Sequence, residues 1–256
     1  MRYELLGPLR VVDSQGSSWI SASKVESLLA VLLIRFDQVV TLDQLINEIW
    51  GCEAPRRATA GLHVYISQAR KFLSRPDRPD SPIVTQPPGY LLRLGTDELD
   101  LLIFRQRVAA GRAHSLGGQH AAAADMLESA LALWRGPVLG DLHNGPIVEG
   151  FVTWLLEERL ECIETLMETY LTLGRHRSLI GRLWALTAEH PLRETFYLQL
   201  MLALYRSDRR ADALRVYKDA HRTLAEELGL QPCRALQDMQ RAILRADQTL
   251  DLWAAA

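Results

Sequence analysis

The stretch that most constrains this chain runs from Ile83 to Leu94. Two short apolar runs, Ile83-Val84-Thr85-Gln86 and Leu91-Leu92-Arg93-Leu94, flank Pro87-Pro88-Gly89-Tyr90. A Pro-Gly turn between two such runs predicts a β-hairpin. Three helical patterns precede it. Ser23-Lys24-Val25-Glu26 has the spacing of a capping box, a hydroxyl with a carboxylate three residues on, and opens a stripe of Val25, Leu28, Leu29, Leu32, Leu33 and Phe36. Thr41-Leu42-Asp43-Gln44 repeats that signature ahead of Leu45, Ile46, Ile49 and Trp50, and Gly51 closes the second helix. A third helix is expected from Arg56 to Leu73, burying Leu62, Ile66, Ala69 and Leu73 at helical spacing. Upstream, Tyr3–Leu6, Leu9–Val12 and Ser18–Ile20 read as small strands separated by Gly7-Pro8 and by residues 13–16. Three helices followed by a hairpin make a winged helix.

Charge singles out the third helix. The 256 residues carry a net charge of −2, and the first 98 balance 11 Lys and Arg against 11 Asp and Glu. Yet no carboxylate falls between Glu53 and Asp77, a window that holds Arg56, Arg57, His63, Arg70, Lys71 and Arg75. A local positive strip in a neutral protein suits contact with backbone phosphates, because the attraction acts at the touching face; the plainer alternative is a solvated basic face. The side opposite the buried stripe presents Ala60, Val64, Ser67, Gln68 and Lys71, flanked by His63, Tyr65 and Arg70. A major groove admits one such helix, where Gln pairs with adenine and Arg favours guanine. Gly61 costs this helix about 1 kcal/mol against alanine, and marks either close packing or a later helix start.

From Leu62 through Gly89-Tyr90 the sequence resembles the effector domain of OmpR-type response regulators, over nearly all of residues 1–95. The Thr85-Gln86-Pro87-Pro88-Gly89-Tyr90 wing is the most specific element. The resemblance implies that the helix before the wing enters the major groove through Val64, Tyr65, Ser67, Gln68 and Arg70, and that the wing, with Gly89 and Tyr90, rests on DNA. In that family Arg often stands at the position of Gln68, and Leu at that of Ala69. No receiver domain is expected ahead of it.

Beyond Leu99 helical periodicity takes over. Leu101, Phe104 and Val108 begin one helix that stops at Gly117-Gly118; Ala121–Trp134 forms a second; Arg135-Gly136-Pro137 interrupts; and a long helix is expected from Phe151 to Leu173. Gly174-Arg175-His176 and Asp208-Arg209-Arg210 open helices at an offset of 34 residues, the tetratricopeptide (TPR) period. His190-Pro191 separates two antiparallel helices between them. The last pair is Ala211–Leu228, closed by Gly229, and Cys233–Ala246. About three stacked pairs would bury their faces on one another and leave a concave surface suited to a protein or peptide.

This half is similar to the bacterial transcriptional activation domain, through Leu133-Trp134-Arg135-Gly136-Pro137-Val138-Leu139 and through Ala213-Leu214-Arg215-Val216-Tyr217 leading to Leu224-Ala225-Glu226-Glu227-Leu228-Gly229. A winged helix first and this domain second is the architecture of the Streptomyces antibiotic regulatory proteins. The expected fold is mainly α with a small β component: an N-terminal winged helix-turn-helix at 1–95 followed by an all-α, TPR-like repeat domain at 99–250. The resemblance implies a pathway-specific activator of an antibiotic or other secondary-metabolite gene cluster. It implies binding to direct repeats in promoter DNA, as a dimer or as tandem protomers, and recruitment of RNA polymerase through its principal sigma factor. Without the ATPase and sensor domains of larger relatives, a signal is expected to act through expression or the helical groove.

Other chemistries find little footing. The sequence holds no GxxxxGK[ST], GxGxxG, GxSxG or HExxH pattern, so no catalytic residue, cofactor or metal is expected. Its seven histidines are scattered, His114 and His120 included, and Glu157, Glu158, Glu161 and Glu164 read as a solvated face. Trp134, Trp154 and Trp184 sit in helical apolar patterns and read as core; Trp253 belongs to an Ala-rich tail. Cys52, Cys162 and Cys233 form no CxxC, which fits reduced thiols in the cytoplasm. The longest apolar run, Leu28–Ile34, has seven residues, against the roughly 20 needed to cross a bilayer. The competing hypothesis is a TPR scaffold or sensor whose winged helix acts only as a partner surface; the acid-free window at 54–76 separates the two.

Overall fold

A computed structural model describes residues 1–75, 80–140, 142, 145–247 and 250; Trp253 lies outside them. The first hundred residues form β1 (Arg2–Glu4), β2 (Arg10–Asp13), β3 (Gly16–Ser18), α1 (Ser23–Ile34), β4 (Val40–Thr41), α2 (Leu42–Trp50), α3 (Ala58–Leu73), β5 (Ile83–Gln86), β6 (Gly89–Leu92) and β7 (Glu98–Leu99). There follow α4 (Asp100–Leu116), α5 (His120–Leu131), α6 (Pro146–Thr172), α7 (His176–Glu189), α8 (Glu194–Tyr205), α9 (Arg210–Leu228) and α10 (Arg234–Arg245). The protein is thus mainly α, a winged-helix region followed by a helical domain.

Two small sheets frame the winged helix. One has the order β3-β2-β1-β7, antiparallel except for the parallel pair of β1 and β7. The other has the order β4-β6-β5, in which Thr85 faces Tyr90 and Thr41 faces Gly89. Strands of two residues such as β4 and β7 leave no periodicity to read, and their partners alone define them. The hairpin turn also differs from expectation. It is Pro87-Pro88, joined by a cis bond, and Gly89 lies within β6. The reason is proximity: a Cβ at Gly89 would sit 1.9 Å from the Val40 carbonyl oxygen.

The two capping signatures part company. Thr41 accepts from the Gln44 N–H at 3.2 Å while its own N–H donates to Gln44 Oε1 at 3.0 Å, so this capping box forms. Ser23 caps nothing. It is already helical, Ala22 occupies the cap position, and the Ser23 carbonyl accepts from Ser27 Oγ. The third helix begins at Ala58, two residues later than expected, and α6 begins five residues earlier than Phe151. Pro146 is compatible with a first turn, where its missing N–H has no intrahelical partner to lose.

Contacts divide the chain into two units, Met1–Arg107 with Ser129–Leu160, and Val108–Glu128 with Glu161–Ala256. In the first, Tyr3, Leu28, Leu29, Leu32, Leu33, Leu45, Leu62, Ile66 and Phe104 are fully buried or nearly so. Three buried carboxylates organise it. Asp100 accepts the N–H groups of Leu5 and Leu6 at 2.8 and 3.0 Å, which is why β1 stops before them. Glu48, on α2, accepts from Ile147 and Val148 at 3.0 and 2.7 Å and so caps the N-terminus of α6. Gly145 (φ +110°) is required beside it, since a Cβ there would lie 2.5 Å from the carboxylate carbon. Glu4 pairs with Arg10, with Arg2 at 3.2 Å and with Arg135 at 3.1 Å.

Those contacts explain the Trp134-Arg135 motif physically. Arg135 N–H donates to Leu6 O at 2.7 Å and Leu139 N–H to Leu5 O at 3.2 Å. Trp134 packs edge-on against Phe104 at 5.5 Å, and the Arg159 guanidinium lies 4.7 Å from its ring centre. It stands in the segment after α5 rather than within a helix. Trp154 and Trp184 are also not core, at 38% and 40% exposed. Trp154 leans on Phe151 with Arg105 over its ring, so its outer edge stays in water; nothing in the structure explains the exposure of Trp184.

In the second unit one turn recurs. Gly118, Gly174, Asp208 and Ala246 all have positive φ, between 52° and 74°. The N–H of each donates to the carbonyl three residues back, and the next N–H, on Gln119, Arg175, Arg209 and Asp247, reaches five residues back to His114, Tyr170, Leu204 and Ala242. All eight bonds measure 2.9–3.2 Å. These are four copies of the Schellman helix stop. The 34-residue offset of Gly174 and Asp208 is therefore a repeat of turn geometry. Close packing of α4 on α5 needs Gly111, where a Cβ would meet Leu127 at 2.8 Å. Cys162 is fully buried and its thiol is pushed up to about 12 by burial; Cys52 and Cys233 are exposed free thiols. No helix is long and apolar enough to cross a membrane among the described residues.

Two measurements test this packing. Burial raises the Asp100 carboxyl above its ordinary 3.8, against the two N–H groups that lower it. The folded chain then holds a proton that the unfolded chain has released, so stability falls as pH rises from about 4 through the folded pKa. Asp100→Asn, uncharged throughout, is expected to flatten that decline in urea midpoints; an unchanged slope would count against it. At Gly61 an added Cβ would meet Trp50 ring atoms at 3.4 and 3.5 Å, ordinary contact distances. Gly61→Ala is therefore expected to raise the unfolding free energy by up to about 1 kcal/mol, and a lower thermal midpoint would contradict it.

Candidate nucleic-acid interface

Helix α3 carries the acid-free window. Ala58, Leu62, Ile66, Ala69 and Leu73 are its buried residues, one stripe packed toward α1 and α2. The opposite surface is left to water: Ala60, His63, Val64, Ser67, Gln68 and Lys71 are exposed, as are Arg56 and Arg57 just ahead of the helix. Among the described residues, no hydrogen bond or ion pair engages the side chains of Arg56, Arg57, His63, Ser67, Gln68 or Lys71. The N-terminus of α3 has no side-chain cap and no acid in its first turn. Its unpaired N–H groups and two arginines leave concentrated positive potential there.

The remaining four of the eleven residues singled out from sequence turn inward. Tyr65 is half-buried and stacks on Trp50, ring centres 5.6 Å apart, with Lys24 Nζ 5.1 Å from the Trp50 ring centre. Arg70 donates through Nε to the Ile83 carbonyl at 3.1 Å and through Nη2 to Thr85 Oγ1 at 2.8 Å, and lies 5.7 Å from the Tyr90 ring centre. These bonds hold the wing to α3, while the guanidinium meets only neutral acceptors and Arg70 stays half-buried. Tyr90 is buried, and Gly89 lies under Val40 and Thr41. Arg75, also in the window, pairs with Asp13. Periodicity assigns Arg70 to a flank but gives no hint of strand β5 beside it, a partner thirteen residues away.

Two exposed side chains escaped the sequence reading. Gln86 stands at the wing tip beside Pro87 and Pro88, and Arg93 follows β6. The signal for Gln86 was its place at the turn itself. Among the described residues, no group of three His, Cys, Asp or Glu side chains is placed to hold a metal ion.

Residues 20–92 match the family described as transcriptional regulatory protein, C terminal, and residues 99–244 match the bacterial transcriptional activator domain. The chain is 35% identical to the regulatory protein DnrI of Streptomyces peucetius, over 98% of this chain and 94% of that one. It is 37% identical to the regulatory protein AfsR of Streptomyces griseus over 98% of its own length, and spans about a quarter (25%) of that larger protein. A solved structure of Mycobacterium tuberculosis EmbR, in complex with a low-affinity phosphopeptide, superposes with a TM-score of 0.89 at 34% identity. That match covers 99% of this chain and 68% of the other. Matched in both halves and in this order, the chain belongs to the Streptomyces antibiotic regulatory proteins, a family of winged-helix transcriptional regulators.

Proposed function

We propose that this protein is a sequence-specific DNA-binding transcriptional activator, dedicated to an antibiotic or other secondary-metabolite gene cluster. The observation that carries the proposal is the exposed, acid-free face of α3, with Arg56, Arg57 and Lys71 unpaired at its ends and Gln68 at its centre. In this reading residues 1–95 dock on promoter DNA in the cytoplasm. Arg56, Arg57 and Lys71 meet phosphates, the helix N-terminus adds its partial charge, and His63, Val64, Ser67 and Gln68 face base edges. Arg70, Tyr65, Gly89 and Tyr90 serve by holding helix and wing in one geometry. Residues 99–250 then present a helical surface to RNA polymerase, the principal sigma factor included. Tandem protomers on one DNA face call for direct repeats about one turn, roughly 10–11 base pairs, apart.

Selection of bound sites from a random duplex pool at near-physiological salt tests the reading. Enrichment of a short direct repeat at one-turn spacing is the expected result, and retention of all sequences alike would favour a partner surface with residual charge. On the selected site, Lys71→Ala or Arg56→Ala should weaken binding to every sequence and lower the salt slope by about 1. Gln68→Ala should instead relax one base pair's preference, a loss of roughly 1–3 kcal/mol there. Equal weakening on all DNAs would remove Gln68 from its reading role.

A further inference from the structure

Val64 is out of character with its surroundings. It is 52% exposed, in the middle of α3 and on the face that carries His63, Ser67, Gln68 and Lys71. The other bulky aliphatic side chains of that helix have a core to enter, Leu62, Ile66 and Leu73 being 0–2% exposed, and Phe72 is half-buried. Val64 has none, and its neighbours one turn before and three residues after, Ala60 and Ser67, are small enough for a surface to come close. A β-branched side chain is also a poorer helix former than alanine, so local helix stability does not account for it. A major groove offers one apolar feature on a base edge, the C5-methyl of thymine.

We infer that Val64 packs on a thymine methyl in the major groove, within about two base pairs of the adenine taken by Gln68. The spacing follows from geometry. Val64 and Gln68 are four residues apart on one face, about 6 Å along the helix axis, and base pairs rise about 3.4 Å each. This inference rests on the DNA-binding reading above and adds to it a residue that sets sequence preference without any hydrogen bond. It accounts for why an acid-free polar face keeps one branched aliphatic group at its centre.

Uracil differs from thymine only by the missing methyl, and that provides the test. In the site recovered by selection, each thymine is replaced singly by uracil, and full-length protein is titrated against each duplex by fluorescence anisotropy. One replacement is expected to weaken binding about fourfold, the equivalent of the ~0.8 kcal/mol of one buried methyl group. At that position Val64→Ala should bind thymine and uracil duplexes equally, while Gln68→Ala should keep the fourfold difference. Alanine is the better helix former, so the folded helix is retained. The inference is overturned if no uracil position weakens binding by the wild-type chain, or if Val64→Ala keeps the full methyl effect. Failure of the underlying reading is distinguishable: the wild-type chain would then retain no duplex in preference to another, with or without uracil.

Discussion

Four backbone N–H groups, on Leu5, Leu6, Ile147 and Val148, are held by two buried carboxylates, Asp100 and Glu48. Much of the first unit depends on this arrangement. A buried donor without a partner costs about 1–3 kcal/mol, and a buried carboxylate without donors costs more. Each side of these pairs is therefore a condition for burying the other. Asp100 opens α4 while its side chain ends β1, and Glu48 belongs to α2 while its side chain begins α6. The winged helix and the helices of the same unit are joined at fixed points that pack with Trp134 on Phe104 and Arg135 on Glu4.

The presentation of α3 follows from a similar division of labour. Trp50 lies beside Gly61 and stacks on Tyr65, and Arg70 clamps strand β5 through two hydrogen bonds. These contacts consume side chains that a sequence pattern assigns to the DNA face. They leave that face narrower and simpler: cations at both ends, small and polar groups between them, and one aliphatic side chain. A helix held this rigidly places its exposed groups at fixed separations, which is what reading base edges at fixed rise demands.

Helix positions were readable in advance wherever one buried stripe dominates. Leu62, Ile66, Ala69 and Leu73 mark α3 unambiguously, and the Thr41–Gln44 box marks the start of α2, since both are local in sequence and governed by the helical period. The same logic misassigned Ser23, whose hydroxyl sits one position inside the helix, because a capping pattern states a spacing and not which residue leaves the helix. It also placed Gly89 in the turn. Only the neighbouring strand β4, whose Val40 lies 49 residues earlier in the chain, shows that glycine is needed for close approach.

What the sequence by itself determined is the order of the helices, the acid-free window on α3 and the 34-residue recurrence. The first two rest on periodicity and charge, which are properties of near neighbours, and the third on a local helix-stop geometry that occurs at both Gly174 and Asp208. What only the tertiary structure decided is which of the window's residues remain available. Arg70 and Lys71 are adjacent in sequence and alike in charge, yet Arg70 is bound to Ile83 and Thr85 while Lys71 is unpaired. Successive residues on a helix point about 100° apart, so one meets the strand packed beside the helix and the other meets solvent. That difference depends on where β5 lies, and no local pattern contains it.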